Sequence, residues 1–134
     1  MKRLVLSALL GASLMLLACH SAKGPASAAD ETAPQIVTQE INYSSGTTQL
    51  KGFIAYPATA DKRPGVLVVH QWMGVTENEM MRARMLAGLG YVALATDVYG
   101  QGVRPADSAA ARQEAGKYYG DRALLRARVA SGLD

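Results

Sequence analysis

Apolar and polar positions alternate between two rhythms along this chain, and their order predicts an α/β fold. Gly65 to Val69 is a short apolar run rich in β-branched residues, bounded by Pro64 before it and by the polar pair His70-Gln71 after it. Such a run is expected to be a fully buried strand inside a parallel sheet. Tyr91 to Ala95 is a second run of this kind and ends at Thr96-Asp97. Between the two, Thr76-Glu77-Asn78-Glu79 fits a helix capping box. Met81, Met85 and Leu89 then recur at i, i+4 and i+8 with Leu86 beside them, which predicts one apolar helix face packed into the core. Gly90 suits the left-handed position that closes a helix. Strand, helix and strand in this order make a βαβ unit, whose crossover is almost always right-handed.

The flanking patterns extend this unit. Gln35 to Tyr43 alternates weakly, Ser44-Ser45-Gly46 is a turn signal, and Leu50 to Tyr56 carries a second strand pattern. Together they predict an antiparallel hairpin at the edge of the sheet. After the second parallel strand, Asp107 or Ser108 caps a short helix expected to run through Ala115, weakened at Gly116 and left at Tyr118-Tyr119-Gly120. Asp121 caps a last helix, Arg122 to about Leu133. Leu125, Val129 and Leu133, with Leu124 alongside, mark its buried face, and Arg122, Arg126 and Arg128 are expected on a solvated basic side. A parallel strand wants neighbours on both sides, and the last helix should lead into another strand. The expected architecture is therefore α/β and incomplete: an edge hairpin followed by parallel βαβ, the N-terminal part of a larger domain.

The first residues read as a leader rather than as fold. Met1-Lys2-Arg3 is a positive n-region and Leu4 to Leu17 an uncharged apolar segment, shorter than the ~20 residues that span a bilayer. Residues 1–18 are thus expected to be a signal peptide. Leu16-Leu17-Ala18-Cys19 resembles a bacterial lipoprotein processing box with Cys19 as the lipidated residue, and Ala26-Ser27-Ala28 is a competing cleavage site. Residues 19–34, rich in Ala, Ser, Gly and Pro, read as a flexible tether, and 35–134 as the folded part. The expected location is the periplasm, anchored to a membrane through Cys19, with a soluble periplasmic or secreted protein as the alternative. Cys19 is the single cysteine, which leaves no disulfide framework. Two of the 14 basic residues are Lys2 and Arg3, and the other 12 nearly balance the 11 acidic ones. No basic stripe with interleaved aromatics occurs, so nucleic acid is not an expected partner.

Candidate chemistry concentrates at the carboxyl ends of the two parallel strands, where open α/β sheets bind ligands. His70-Gln71-Trp72-Met73-Gly74 follows the first strand and Asp97-Val98-Tyr99-Gly100 the second. Asp97 has two readings, a turn carboxylate or a direct chemical role. No G-x-S-x-G or G-x-C-x-G elbow is present. Neither H-E-x-x-H nor C-x-x-C occurs, so no metal is expected, and the glycine motifs of nucleotide sites are missing. No cofactor is called for. His20 and His70 are the two imidazoles, and no nucleophile is evident for His70. The chain alone cannot assemble a nucleophile, base and orienter.

Three blocks nevertheless carry a resemblance: R-P-G-V-L-V-V-H-Q-W-M-G, R-A-R-M-L-A-G-L-G-Y-V-A-L-A-T-D-V-Y-G-Q-G and D-R-A-L-L-R-A-R. In this order and at this spacing they resemble the first half of a dienelactone hydrolase-like α/β-hydrolase, from Gln35 to Asp134. The resemblance implies an enzyme that cleaves an ester or lactone bond through a Cys-His-Asp triad, and the leader makes it a secreted or lipoprotein member. All three triad members are then expected beyond Asp134. It also implies that the Trp72 backbone N–H is an oxyanion-hole donor, and that Gln71 stands where dienelactone hydrolases carry a glutamate. Glutamine cannot offer that negative charge, a departure from the family's pattern that bears on how a thiol would be activated and on the lactone as substrate. Trp72 and Tyr99 are candidate pocket residues, and Arg112 lies in roughly the segment where the family holds a substrate carboxylate. The partner expected is a small ester or lactone. The competing expectation is a truncated, non-catalytic periplasmic lipoprotein.

Overall fold

The computed structural model describes residues 34–133. The leader, Cys19, His20 and all of the proposed tether except Pro34 lie outside the described residues. The order of elements is β1 (Ile36–Ser45), β2 (Thr48–Pro57), β3 (Gly65–Val69), α1 (Glu77–Gly88), β4 (Val92–Thr96), α2 (Ser108–Gly120) and α3 (Arg122–Ala130). The four strands form one mixed sheet in the order β1-β2-β4-β3. β1 and β2 make the antiparallel hairpin, closed at Ser45↔Thr48. β2 runs antiparallel to β4, and β3 runs parallel to β4 from Gly65↔Val92 to Val69↔Thr96.

This order corrects one expectation. β3 is an edge strand among the described residues, not a buried one. Gly65 and Val69 are exposed and Val66, Leu67 and Val68 half-buried. The apolar run is a strand, as expected, but burial depends on having neighbours on both sides. That place belongs to β4, whose Ala93 to Thr96 are buried between β2 and β3.

α1 begins at the expected capping box. Thr76 is extended, its side chain accepts from the first helical turn, and the Glu79 side chain reaches back to the Thr76 N–H at 2.8 Å. The helix ends in a Schellman arrangement. The Tyr91 N–H donates to Leu86 O at 3.1 Å and the Gly90 N–H to Ala87 O at 2.9 Å, with Gly90 at φ +95°. The face turned to the sheet is a second correction. Ala83 and Ala87 are buried, with Met80 and Leu86 packed alongside, against Phe53, Ala55, Ala93 and Ala95. Met81, Met85 and Leu89 are instead 42%, 55% and 75% exposed. Both stripes repeat at helical spacing. Alanines on helix and strands let the backbones approach closely, and the larger side chains are left outside.

A second cluster joins Val98, Tyr99 and Tyr118 to Val103, Leu124, Leu125 and Val129. It ties the segment after β4 to α2 and α3. Asp107 caps α2 through the Ala110 N–H at 2.8 Å, and Asp121 caps α3 through the Leu124 N–H at 2.9 Å. α2 continues through Gly116 to Gly120, five residues past the expected end, because burial of Tyr118 outweighs the low helix propensity of glycine. Leu133 is 74% exposed and is no part of the buried face. Arg128 departs from a solvated role too. Its guanidinium donates to Ser45 O at 3.2 Å and Thr48 Oγ1 at 2.6 Å, clamping α3 to the hairpin turn.

Candidate active site

The carboxyl ends of β3 and β4 lie side by side, as Val69↔Thr96 pairing requires. The loop after β3 therefore faces the loop after β4. Three hydrogen-bond systems hold these loops in one arrangement.

His70 forms the first. Its Nε2 accepts the Val98 N–H at 3.1 Å, so the ring proton resides on Nδ1, which donates to Gln71 O at 2.6 Å. The ring meets Tyr99 edge-on, with centroids 4.5 Å apart. Burial lowers the His70 pKa below 6.5, against opposing contributions from Gln71 O and the Asp97 and Glu79 charges. His70 is thus a neutral imidazole with both nitrogens engaged. It braces the site and is not placed as a free base.

Tyr99 forms the second. Its hydroxyl donates to Trp72 O at 3.0 Å and fixes the Trp72–Met73 peptide, the unit next to the one that carries the Trp72 N–H. Burial, with smaller effects from Glu114 and the neighbouring tyrosines, pushes its pKa up to about 12, so it stays a donor through the physiological range. The ring stacks on Tyr118 at 5.3 Å, and the Tyr118 hydroxyl donates to Tyr99 O at 3.3 Å.

Asp97 forms the third and resolves the two readings it carried. It is fully buried. Oδ1 accepts the Tyr99 and Gly100 N–H groups, each at 3.1 Å, and Oδ2 accepts the Lys51 N–H at 3.1 Å. These bonds shape the turn after β4 and join it to β2. Tyr43 adds a brace, its hydroxyl accepting the Asp97 N–H at 2.8 Å and bonding Thr96 Oγ1 at 2.8 Å. Asp97 is a turn carboxylate.

Gly74 closes the loop. Its N–H donates to Gln71 O at 3.2 Å, and at φ +82° it packs where a Cβ would stand 3.2 Å from Val103 O and from Arg104 Cδ. A substituted residue there would be strained and crowded together. Among the described residues no acceptor takes the Trp72 N–H.

A cleft of about 180 Å³ opens between the loops. Its lining includes His70, Gln71, Trp72, Tyr99, Tyr118 and Tyr119. Gln71, Trp72 and Tyr99, all singled out in the sequence, are brought together here. Gln71 is exposed, Trp72 is 40% exposed, and Tyr99 is buried at the cleft wall. Arg112 is exposed on α2 and is not part of the lining. Sequence reasoning missed Tyr118 and Tyr119. The adjacent aromatics are a visible signal, but the glycines around them point to a helix exit, whereas both lie in the helix body. Among the described residues no cluster of three or more His, Cys, Asp or Glu side chains could hold a metal ion.

A mixed sheet with a βαβ unit, a hairpin before it and a braced loop pair at the strand ends is the first part of an α/β-hydrolase fold. The model of the dienelactone hydrolase family matches residues 50–130, and the chain belongs to that family. A putative hydrolase fragment, YghX, from Escherichia coli (strain K12) is 39% identical over 69 residues, which cover 49% of this chain and 59% of that protein. Among solved structures, one described as m3DLH superposes with a TM-score of 0.70 at 37% identity, over 74% of this chain and 42% of its own. A dienelactone hydrolase-like promiscuous phosphotriesterase, P91, from metagenomic libraries gives 0.69 at 34% identity, over 74% and 41%. The chain thus spans less than two thirds of the length of each of these relatives, and under half of the two solved structures.

Proposed function

We propose that the protein containing this chain hydrolyses an ester or lactone by nucleophilic acyl transfer, with the Trp72 N–H as one donor of the oxyanion hole. A nucleophile attacks the carbonyl carbon and the carbonyl oxygen takes up negative charge. The intermediate collapses with release of the alcohol, or opening of the lactone ring, and water then hydrolyses the acyl-enzyme. The Trp72 N–H faces the oxygen as its charge grows, a contribution typically worth ~10²–10³ in rate per donor. The nucleophile, its base and the orienting acid come from the part of the relatives' length that this chain does not span. The observation that carries the reading is the rigid loop after β3, braced through His70 and Tyr99 with the Trp72 N–H uncommitted, in a chain of this family. Gln71 stands beside it as a neutral hydrogen-bonding group.

The test is turnover of aryl esters and small lactones by the natural protein, with Tyr99→Phe as the diagnostic variant. Removing the hydroxyl that holds the Trp72–Met73 peptide, next to the unit that carries the N–H, should lower kcat by roughly tenfold or more with little change in KM, since it disturbs a contact made in the transition state. Absence of hydrolysis across both substrate classes would favour a non-catalytic protein instead.

We further propose that Cys19 is lipidated and anchors the protein at a membrane facing the periplasm. The support is the charged, apolar and Leu-Leu-Ala-Cys order of the leader. Loss of detergent-phase partitioning in Cys19→Ala is the expected result, and unchanged partitioning would point to a soluble periplasmic or secreted form.

A further inference from the structure

Four of the eight large apolar side chains exposed among the described residues fall in one stretch: Met81, Met85 and Leu89 on the outer face of α1, and Tyr91 just past its end. Clustered exposure of this kind marks a surface that meets something apolar. Arg82 stands beside the stripe, three residues before Met85. Neither Arg82 nor Lys62 has a carboxylate within ion-pair distance among the described residues. From Met80 to Thr96 the chain holds Arg82 and Arg84 and no acidic residue. The acids of α1, Glu77 and Glu79, sit in its first turn, at the cleft end of the molecule.

The stripe leads to the other end. α1 carries the chain from the carboxyl end of β3 back to the amino end of β4, so Leu89 and Tyr91 lie at the amino end of the parallel strands, away from the cleft. The loop of Lys62 and Arg63 is tied to the same place. The Val92 N–H donates to Pro64 O at 3.0 Å, and Arg63 Nη1 lies 3.2 Å from where a Cβ on Gly90 would stand. Arg63 pairs with Asp61 at 3.4 Å, so Lys62 supplies the net charge of this loop. The described chain also enters here. Ile36 pairs with Pro57, beyond Ala55↔Ala93, and packs against the cluster that holds Ala83 and Ala87. From Cys19 to Pro34 the chain reaches no further than about 50 Å, at ~3.3–3.6 Å per residue.

We infer that the face formed by Met81, Met85, Leu89 and Tyr91, with Arg82 and Lys62, docks on the anionic phospholipid surface of the membrane to which Cys19 is anchored. The partner rests on the lipid-anchor reading; the apolar and basic face does not. An anchor at Cys19 keeps this end of the fold close to the bilayer, so even a weak surface contact becomes an intramolecular one. Methionine and leucine enter the boundary between headgroups and acyl chains, and a tyrosine is at home there. Arg82 and Lys62 lay their apolar stems along the same boundary and keep their charges among the lipid phosphates. The cleft at the opposite ends of the strands then faces away from the bilayer and takes its substrate from the aqueous side.

The test is hydroxyl-radical footprinting, read by mass spectrometry, of the natural protein reconstituted on two kinds of vesicle. One is phosphatidylethanolamine with phosphatidylglycerol, the other neutral phosphatidylcholine. Met81, Met85, Leu89 and Tyr91 are expected to be labelled several-fold less on the anionic vesicles, while Trp72 and Tyr119 at the cleft end are labelled equally on both. Added salt should raise labelling of the stripe. So should Arg82→Gln, which is expected to weaken docking about fivefold, the contribution of one basic residue at an anionic surface. Met85→Glu should abolish the difference between the vesicles at Leu89 and Tyr91, and Arg126→Gln on α3 should keep it. Equal labelling of the stripe on both vesicles overturns the docking surface; if it is equally protected on both, another part of the protein or a second copy covers it. Protection that survives both Met85→Glu and Arg82→Gln overturns it too. A protein that floats with the vesicles through an acylated Cys19 while the stripe stays labelled overturns the docking surface alone. Vesicle-dependent protection of the stripe with an unmodified Cys19 overturns the anchor alone.

Discussion

His70 shows how a residue that reads as a candidate base becomes a brace. Its Nε2 accepts from a backbone N–H, so a second ring proton has nowhere to go without breaking that bond. Burial of the ring also lowers its pKa, so the folded state resists protonation. The sign follows from linkage. Above pH 6.5 both folded and unfolded states hold the neutral ring, and the stability is fully present. As pH falls below 6.5 the unfolded state takes up the proton first, and stability is lost until the folded value is passed. Urea midpoints measured between pH 8 and pH 5 should decline below about pH 6.5. In His70→Gln this part of the decline should vanish, with the whole curve lowered by about 1–3 kcal/mol because the Val98 N–H loses its acceptor. A wild-type midpoint flat across that range would contradict the neutral assignment. Glu79 acts in a lower window. Burial pushes its pKa up, but hydrogen bonds from the Thr76 side chain, Asn78 and the Thr76 N–H outweigh that and leave it below 4.5. Its contribution is therefore lost only as pH falls below that value.

At the scale of elements, α1 separates what a pattern can say from what it cannot. The capping box, the closing glycine and the helix between them were all legible, because each is a local device with its own hydrogen-bond logic. Which stripe faces the sheet was not legible. Met81-Met85-Leu89 and Met80-Ala83-Ala87 satisfy the same periodicity, and the larger stripe was the natural choice by hydrophobicity. Close packing decided otherwise, since Ala83 and Ala87 are fully buried against Ala93 and Ala95. The two stripes should consequently respond in opposite ways. Met85→Lys is expected to change stability by less than about 0.5 kcal/mol, as at other exposed positions. Ala87→Leu is expected to destabilise by about 1–3 kcal/mol through overpacking. Thermal or chemical denaturation of the two variants decides the matter, and a tolerant Ala87 with a sensitive Met85 would reverse the orientation of the helix.

For the whole molecule, the strand count and the βαβ unit could be read from apolar runs, but the order β1-β2-β4-β3 could not. Strand order depends on long-range pairing that no local spacing encodes. The same gap hid the clamp of Arg128 on the hairpin turn, a contact across 80 residues. It also reversed the expectation for β3. A sequence of Gly-Val-Leu-Val-Val reads as buried, and here one side of that strand has no neighbour among the described residues. An apolar strand with an open edge presents a row of backbone donors and acceptors ready to pair with another chain. Produced by itself, this 134-residue chain should therefore self-associate in proportion to its concentration. Val69, 49% exposed at the end of β3, is the position at which to place a charge. Val69→Lys is expected to shift the population toward monomer in size-exclusion chromatography with light scattering, with an unchanged circular dichroism spectrum, because a lysine on an edge strand opposes edge-to-edge pairing without disturbing the β4 side. A wild-type chain that stays monomeric at high concentration would show that the β3 edge is already covered. Self-association that Val69→Lys leaves intact would move the sticky surface elsewhere, with the exposed Met81-Met85-Leu89 face of α1 as the next surface to charge.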